Sequence, residues 1–380
     1  MINKIGTRRK VFKDVWLRLM ILQSFILLGV VHERKKTMEI LMPDLPEYTE
    51  IQEFFVRELG LVGKKIDHRK ERPLPENSLI YCHDISHWQK RLELSDKFSV
   101  SVILVGNEYY DVNKWEPINE YESIKCAFLQ YFPKTQSSHF RPILEFIANS
   151  INVVFQKSFW AVTLNGYLKH RAVKRLKFRF PVHPFPLGYT DRFVLELQKL
   201  GLCNANSKSL FGALIAPLPS EAGGISFFGQ KGSWYRRHMV EQFERSARAS
   251  VQRYDSFGGD TQPATSTQYV NSILNSRFVL CPPGNVSSQS FRYYEAIALG
   301  AIPIITEISV QDWNSQDYWP QKVRWKHSNY KEVWKGLESL SNSELDNLSL
   351  ELRDFVQREF AHLRGLLEEC TGRDNVIDRG

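Results

Sequence analysis

The sequence predicts an α/β fold with two parallel β-sheets, and three features of the chain support this prediction. Its 380 residues are 43% hydrophobic and 24% charged, as in soluble globular proteins. This composition excludes wholesale disorder, collagen-like repeats and a polytopic membrane protein. Short apolar runs alternate with helical segments, a pattern typical of βαβ units. A proline cluster near residue 185 separates two such patterns, and the length allows roughly two to three domains.

The N-terminal half contains short apolar runs that predict buried strands. Runs of this length between polar segments are typical of strands that are covered on both faces of a parallel sheet. The strands are expected at residues 38–43, 79–82, 100–105 and 126–131, with an amphipathic helix at residues 50–61.

The C-terminal half repeats this alternation of apolar runs and helical segments. Strands are expected at residues 225–229, 278–281 and 302–305. Helices are expected from residue 234 onward and at residues 269–275 and 290–299, with a loop at 254–267 and a mainly helical tail at 330–370.

The proline cluster is the expected crossing between two domains. Pro181, Pro184 and Pro186 lie close together, and closely spaced prolines disfavour both a helix and a central strand. The predicted organisation is therefore a basic leader at residues 1–36, an N-terminal domain at 37–185, a C-terminal domain at 186–340 and a helical tail at 341–380.

The leader contains an apolar run at residues 15–31 that follows a basic stretch and is interrupted by Arg18. Its uninterrupted part, residues 19–31, is 13 residues long, which is shorter than a membrane-spanning helix requires. Counting from residue 15, with Arg18 at the membrane interface, gives 17 residues. Two interpretations stay open: an uncleaved signal anchor of a single-pass type II protein, and an amphipathic helix or unstructured leader.

The net charge of +8 favours anionic partners in general. Part of this charge lies in a basic run at residues 169–179. The run is expected to form the solvated surface of a helix, because no nucleic-acid-binding motif accompanies it. Five scattered cysteines with no CxxC pair do not indicate a disulfide framework, and they leave the redox compartment open.

Residues 276–305 carry the clearest chemical signal in the chain. A buried strand ends at Pro282-Pro283-Gly284, a loop follows, and a helix begins by Ser290. Loop amides and the first helical turn form an anion site that the helix dipole favours for phosphate. Arg292 lies in that turn, where its guanidinium could clamp a diphosphate. Glu295 follows on the same helix face, where its carboxylate suits the vicinal hydroxyls of a ribose.

This segment resembles the donor-binding segment of exostosin-type glycosyltransferases, glycosyltransferase family 47, and of relatives such as the ribitol xylosyltransferases. The family pattern reads roughly S-x-F-x-L-x-P-x-G, a short loop, and then S-x-R-x-x-E-A-x-x-x-G-x-I-P-V. Every fixed position matches except the last valine, which is Ile304 here. Weaker similarities are Phe227-Phe228-Gly229 followed by Arg236-Arg237, and Pro186-Leu187-Gly188-Tyr189 at the crossing.

The resemblance implies a GT-B architecture, in which two Rossmann-like domains with parallel sheets face each other and the C-terminal one binds a nucleotide-sugar donor. A UDP-sugar is the expected donor. No cofactor is required and no metal is predicted, since helix amides and basic residues neutralise the leaving diphosphate and the sequence has no D-x-D. At several of these positions a structural role is an alternative to donor binding; Ser290, for example, could simply cap its helix. The predicted donor-binding residues are Arg292, Glu295, Ser290, Gly284, Arg236, Arg237 and Lys231.

The sequence does not identify the catalytic base. An inverting transfer needs a carboxylate or imidazole that deprotonates the acceptor hydroxyl. In α/β proteins, ligands gather at the carboxyl ends of strands. The candidates at such positions are Asp44, His83, Asp84 and Glu108, and the crossing segment adds His183.

The predicted function is that of a nucleotide-sugar-dependent glycosyltransferase, a hexosyl- or pentosyltransferase. It is expected to transfer a sugar to a hydroxyl of a glycan or glycoprotein with inversion of the configuration at the anomeric carbon. The alternatives are a fucosyltransferase-like GT-B enzyme and a non-catalytic glycan- or phosphate-binding protein that keeps the fold. No nucleic-acid partner is expected. The expected location is the Golgi membrane, through the anchor; the alternative is cytoplasmic or peripheral at a membrane. N-glycosylation sequons begin at Asn285 and Asn347, and a glycan on the first would block the donor loop.

Overall fold

A computed structural model of the chain shows which of these elements form. By its internal contacts the chain divides into Met1–Met38 and Glu39–Gly380. The predicted leader lies outside the described residues, and the predicted domain boundaries stay a prediction. Within the described part of the chain, no helix is both long enough and apolar enough to cross a membrane. The structure describes residues 38–44, 53–106, 112–130, 176–203, 210–213, 224–230, 240–241, 243–244, 249–254, 265–282, 291–306, 324–325, 335–337 and 339–372.

The first sheet is built from the N-terminal half, and its described strands lie in the order β2-β1-β3-β4-β5-β6. Pairing is parallel from β1 through β3, β4 and β5 to β6. Every residue of β3 and β4 is buried, which explains their largely apolar sequence. The strands are β1 (Met38–Pro43), β2 (Leu61–Ile66), β3 (Ser78–Cys82), β4 (Val100–Leu104), β5 (Ile124–Gln130) and β6 (Val182–Phe185). The helices are α1 (Glu53–Glu58), α2 (Gln89–Glu93) and α3 (Val112–Trp115), with 3₁₀ turns at Ile85–Trp88 and Glu116–Glu120.

The second sheet is built from the C-terminal half, and its described strands lie in the order β11-β10-β9-β7-β8. All four pairings between these neighbours are parallel. The predicted α/β class with two parallel sheets, which is the sheet content that a GT-B fold requires, is therefore confirmed. The strands are β7 (Ile225–Gln230), β8 (Ala249–Tyr254), β9 (Phe278–Cys281), β10 (Ile302–Thr306) and β11 (Arg324–Trp325). The helices are α4 (Asp191–Lys199), α5 (Leu210–Ala213), α6 (Thr265–Leu274) and α7 (Phe291–Ala298).

A long C-terminal helix, α8 (Asn342–Cys370), contacts both sheets. It begins with a capping box in which Ser341 and Glu344 satisfy each other's backbone N–H groups. Near its start, Ser349 donates a hydrogen bond of 2.7 Å to the carbonyl of Gly300, just before β10. At its end, a disulfide joins Cys370 to Cys126 of β5. The helical tail that the sequence predicts is thus formed, and it fastens to both halves of the chain.

Each sheet has a point where the chain order reverses. β1 lies between β2 and β3, and β7 lies between β8 and β9. The two strands that follow β1 in sequence therefore lie on opposite sides of it, and the same is true of the two strands that follow β7. In open α/β sheets, ligands bind in the crevice at the carboxyl ends of the strands at such a switch point. The topology therefore marks two places for a site: the carboxyl ends of β1 and β3, and those of β7 and β9.

Three details of the sequence prediction need correction. The loop expected at residues 254–267 is too long, because β8 ends at Tyr254 and α6 begins at Thr265. The helix expected at residues 50–61 is too long, because α1 ends at Glu58 and β2 starts at Leu61. The proline cluster does not exclude a strand, since β6 forms within it. β6 is the last described strand at its edge of the sheet, where the missing N–H of Pro184 is tolerated.

Candidate functional site

The predicted donor segment lies at the switch point of the second sheet. β9 ends at Cys281, and α7 begins at Phe291 after a connection of which residues 283–290 are outside the described residues. β7, the neighbour of β9, is the strand at which the order reverses. The topology thus places the first turn of α7 at the position where open α/β sheets typically bind nucleotides.

Arg292 lies in the first turn of α7, and it is half-buried against the sheet. Its guanidinium carbon is 5.1 Å from the centroid of the Phe227 ring on β7, a cation–π contact. Burial raises the pKa of Tyr269 and of Glu295, and the positive charge of Arg292 counteracts part of that effect. The structure therefore brings the predicted diphosphate clamp and Glu295 into one electrostatic group.

Glu295 is buried, with 3% of its surface exposed. One carboxylate oxygen accepts hydrogen bonds from the N–H and the hydroxyl of Thr190, at 3.2 and 2.8 Å. The other accepts a hydrogen bond from the hydroxyl of Tyr269. Burial nevertheless raises the pKa of Glu295, because three donors replace only part of the lost hydration. In the structure Glu295 thus holds together α7, α6 and the start of α4.

Thr190 connects this group to the first sheet. It is the N-cap residue of α4, and its hydroxyl accepts a hydrogen bond from the N–H of Phe193 while donating to Glu295. It follows the last residue of β6 by only five positions. The short segment that follows β6 therefore brings Thr190 into hydrogen-bond contact with Glu295 of α7.

The other predicted donor-binding residues lie outside the described residues, and their roles stay predictions. The same holds for the sequon at Asn285. The second sequon is described: Asn347 is exposed on α8, whereas Ser349 two positions later is buried. The donor-binding residues concerned are Ser290, Gly284, Arg236, Arg237 and Lys231.

Three of the predicted base candidates lie at the switch point of the first sheet. Asp44 follows β1 and is exposed, and its backbone N–H donates to the carbonyl of Ile66 at the end of β2. His83 and Asp84 follow β3 and are half-buried. An ideal Cβ on Gly106, which follows β4, would lie 2.7 Å from Nδ1 of His83. The His83 ring thus packs closely against the end of the adjacent strand.

Asp84 already has a structural role. Its carboxylate caps the 3₁₀ turn by accepting a 2.8 Å hydrogen bond from the N–H of Ser86. Burial acts to raise the pKa of Asp84, but the hydrogen bonds from Ser86 and nearby positive charges outweigh it and lower the pKa. A carboxylate with a lowered pKa is a weaker base, so the surroundings of Asp84 favour the capping role.

The two remaining base candidates are not at this edge among the described residues. Glu108 lies outside them. His183 is the second residue of β6, where its ring stacks on Phe128 with centroids 5.2 Å apart. One of its ring nitrogens lies within 4.8 Å of the sulfurs of Cys126 and Cys370. Within the described residues, this is the group that could hold a metal ion, and Arg292 is not part of it.

Two histidines that the sequence did not single out lie at the same edge as Asp44. His68 follows β2, His87 lies in the 3₁₀ turn after β3, and their ring centroids are 5.9 Å apart. Burial lowers the pKa of His68, as do the charges of His87 and Arg69, while nearby carboxylates oppose the change. The sequence could have pointed to His68 only if β2 had been recognised before it.

Comparison with solved structures finds similarity to β-glucosyltransferases. A DNA-modifying β-glucosyltransferase, determined with and without uridine diphosphoglucose, has a TM-score of 0.42 at 9% identity, covering 88% of this chain and 100% of that one. Two structures of the T4 phage β-glucosyltransferase, one of them with its UDP-glucose substrate, have TM-scores of 0.39 and 0.37 at 10% and 9% identity. Each covers 88% of this chain and 99% of the phage chain.

Comparison with curated proteins finds no match to the chain. Residues 236–329 match the family model of the RXYLT1 C-terminal domain, which belongs to a ribitol xylosyltransferase related to the exostosin-type enzymes. This range contains β9, α7 and β10, and it confirms the resemblance predicted from residues 276–305. The segment that carries Arg292 and Glu295 thus lies in a matched glycosyltransferase domain, and a nucleotide-sugar glycosyltransferase is the class of enzyme that the match supports.

Proposed function

We propose that the chain is a nucleotide-sugar-dependent glycosyltransferase of exostosin type, which transfers a sugar with inversion to a hydroxyl of a glycan or glycoprotein. The observation that carries the proposal is the position of α7. This helix lies within the matched domain, begins at the switch point of the second sheet, and holds Arg292 in its first turn.

On the donor side, Arg292 is proposed to bind the diphosphate of a UDP-sugar. A guanidinium binds two phosphate oxygens at once, and the amides at the start of α7 add partial positive charge. Together they would stabilise the negative charge that develops on the leaving diphosphate. The contact with Phe227 holds the guanidinium in place before the donor arrives.

Glu295 is proposed to support the donor site, and its binding of the ribose stays a prediction. One oxygen already accepts two hydrogen bonds from Thr190, and the other accepts one from Tyr269. The oxygen that accepts from Tyr269 has a second lone pair, so a ribose hydroxyl could add a hydrogen bond there without displacing these partners. In either case the carboxylate fixes the face of α7 that carries Arg292.

On the acceptor side, Asp44 and His83 are the proposed candidates for the catalytic base. Both lie at the carboxyl ends of the strands that form the first switch point, β1 and β3. Asp84 is occupied in capping, and His183 lies beside α8. The base would take the proton of the acceptor hydroxyl as that oxygen attacks the anomeric carbon and the diphosphate leaves.

Calorimetric titration with UDP, GDP and their sugars tests the donor side. Arg292→Ala is expected to weaken binding of the preferred nucleotide about 10- to 100-fold, because it removes charge-assisted hydrogen bonds. Arg292→Lys should not restore it fully, since an ammonium lacks the paired donors. Arg358→Ala, at an exposed position of α8, is the control. A wild-type chain that binds no nucleotide overturns the proposal.

Transfer assays test the acceptor side. With the nucleotide sugar identified, Asp44→Asn and His83→Gln are compared with Asp84→Asn for turnover and donor affinity. The base variant should lose turnover at least about 100-fold and still bind donor. Nucleotide binding without transfer or donor hydrolysis would instead favour a non-catalytic protein that keeps the fold.

We also propose the Golgi membrane as the location, with residues 15–31 as a type II anchor. The disulfide between Cys126 and Cys370 supports an oxidising compartment, since disulfides rarely persist in the cytosol. Protease protection of the full chain in microsomes tests this, and digestion of the catalytic part without detergent contradicts it.

A further inference from the structure

Three side chains with metal-binding atoms meet where α8 ends on the first sheet. Cys126 comes from β5, His183 from β6 and Cys370 from the last turn of α8. They are far apart in sequence, and the two cysteines of the disulfide are 244 positions apart. Within the described residues, no other group of three such side chains comes together.

The spacing of these atoms suits a tetrahedral metal site. The two sulfurs and one nitrogen lie within 4.8 Å of one another. Zinc bonds of about 2.0–2.3 Å place neighbouring ligand atoms about 3.5–3.8 Å apart. The Cα atoms of the cysteines are 6.1 Å apart, so turning the two side chains suffices and the backbone need not move.

The surroundings also suit a bound cation. Cys126 is buried, whereas His183 and Cys370 are half-buried, so an ion can enter from the side of α8. The ring of His183 is held by stacking on Phe128, with 29° between the planes. The carboxylate of Glu369 is exposed and close enough for its charge to act on His183. Water can supply the fourth ligand.

We propose that Cys126, Cys370 and His183 form a Zn²⁺ site when the disulfide between the two cysteines is reduced. Two thiol molecules reduce the disulfide, giving two protein thiols and one oxidised disulfide of the reductant. Zinc then displaces the two thiol protons, and the neutral imidazole donates a lone pair. Thiolate and imidazole ligands select zinc over the oxygen-preferring Ca²⁺ and Mg²⁺.

The site fastens the same two elements that the disulfide joins. When the cysteines are oxidised, a covalent bond holds the end of α8 to β5. When they are reduced, the metal bridges them and also engages β6. The C-terminal helix therefore stays attached to the first sheet in both redox states, and this inference does not depend on the proposed enzymatic activity.

The test measures zinc bound to the full chain in its two redox states. Protein is oxidised, or reduced with a non-thiol phosphine that is then removed, and is dialysed against ZnCl₂. Bound zinc is measured by mass spectrometry of the metal. We expect about one zinc per reduced chain and none above background in the oxidised chain. Cobalt substitution of the reduced chain should give a thiolate-to-metal charge-transfer band.

Variants separate this site from other thiols. Cys370→Ser should abolish stoichiometric zinc binding, and His183→Gln should weaken the affinity at least about tenfold. Cys203→Ser, at another buried cysteine, is the matched control and should bind zinc like the wild type. Because the comparison of oxidised and reduced wild-type protein needs no variant, poor folding of a variant leaves the test intact. Equal zinc binding in both redox states, or full binding by Cys370→Ser, overturns the proposal.

Discussion

Glu295 provides the sharpest test of how the donor site is held together. Glu295→Ala leaves three hydrogen-bond donors without their acceptor: the N–H and hydroxyl of Thr190 and the hydroxyl of Tyr269. Since Thr190 and Tyr269 are half-buried, water can replace part of what is lost. The variant therefore tests whether a buried carboxylate stabilises the junction of α4, α6 and α7.

The expected loss of stability follows from these contacts. Hydrogen bonds to a charged group are each worth about 1.5–3 kcal/mol, so three give about 5–9 kcal/mol. The desolvation of a buried carboxylate costs several kcal/mol and offsets much of this. A net loss of about 3 kcal/mol in the free energy of unfolding is expected for Glu295→Ala. Glu295→Gln keeps the shape and an acceptor oxygen, so about 1 kcal/mol is expected.

Urea denaturation followed by circular dichroism measures these losses. Glu351→Ala, at an exposed glutamate of α8, is the matched control and should change the free energy of unfolding by less than about 0.5 kcal/mol. A double-mutant cycle of Glu295→Gln with Thr190→Val should show a coupling of at least about 0.5 kcal/mol. If Glu295→Ala remains within about 1 kcal/mol of the wild type, the structural role is refuted.

The same variants separate support from ribose binding. Thr190→Val removes a hydrogen-bond partner of the carboxylate but leaves the carboxylate itself. If Glu295 contacts the ribose, Glu295→Gln weakens UDP binding at least about tenfold while Thr190→Val binds UDP nearly as the wild type does. Equal and small losses in both variants indicate that the carboxylate only supports α7.

Three further outcomes are expected from other parts of the molecule. Gly188→Ala places a Cβ 2.5 Å from the Phe55 ring at a φ of +66°, and Gly201→Ala has a φ of +69° but no atom within 4 Å. Both variants should lose about 1 kcal/mol of the free energy of unfolding to backbone strain, and Gly188→Ala should lose at least about 2 kcal/mol more through the clash with Phe55. Urea denaturation measures both losses, and equal losses would contradict this reasoning. Reduction of the Cys126–Cys370 disulfide in the presence of a chelator should lower the free energy of unfolding by about 2–5 kcal/mol, because the bond closes a long loop. An unchanged urea midpoint would show that the bond adds no stability. Because the folded state lowers the pKa of His68, the unfolded chain binds the proton more readily than the folded chain does. The free energy of unfolding should therefore fall as the pH drops below the ordinary pKa of 6.5. His68→Gln should reduce this pH dependence, and a pH profile identical to that of the wild type would exclude the effect.

The sequence predicts the buried strands well and the edge strands poorly. β3, β4 and β9 are mainly apolar runs in which every residue is buried, and residues 302–304 at the start of β10 are buried as well. The sequence predicts the positions of these four strands to within a few residues. β2 was missed because only Leu61 of its residues is buried, and its lysines are exposed. An edge strand of this kind has no apolar pattern by which it could be recognised.

The candidate site was predictable only where its residues are close in sequence. Arg292 and Glu295 belong to one helix, so a local motif suffices to identify them. The partners of Glu295 are 26 and 105 positions away, and no local pattern connects Tyr269 or Thr190 to it. The capping role of Asp84 is local, but a single sequence does not tell a capping carboxylate from a catalytic one.

The path of α8 has a consequence for how the chain folds during its synthesis. The helix has 29 residues and is about 44 Å long, and it reaches from Gly300 beside β10 to Cys126 of β5. Cys370 leaves the ribosome after both sheets have been translated, so Cys126 must wait for a partner 244 residues away. Until then the N-terminal half exposes the surface that α8 later covers, including Phe55 of α1, which packs against Phe360. Assembly of the N-terminal half is therefore completed by the C-terminal helix, and ribosome-bound chains that stop before α8 should depend on chaperones.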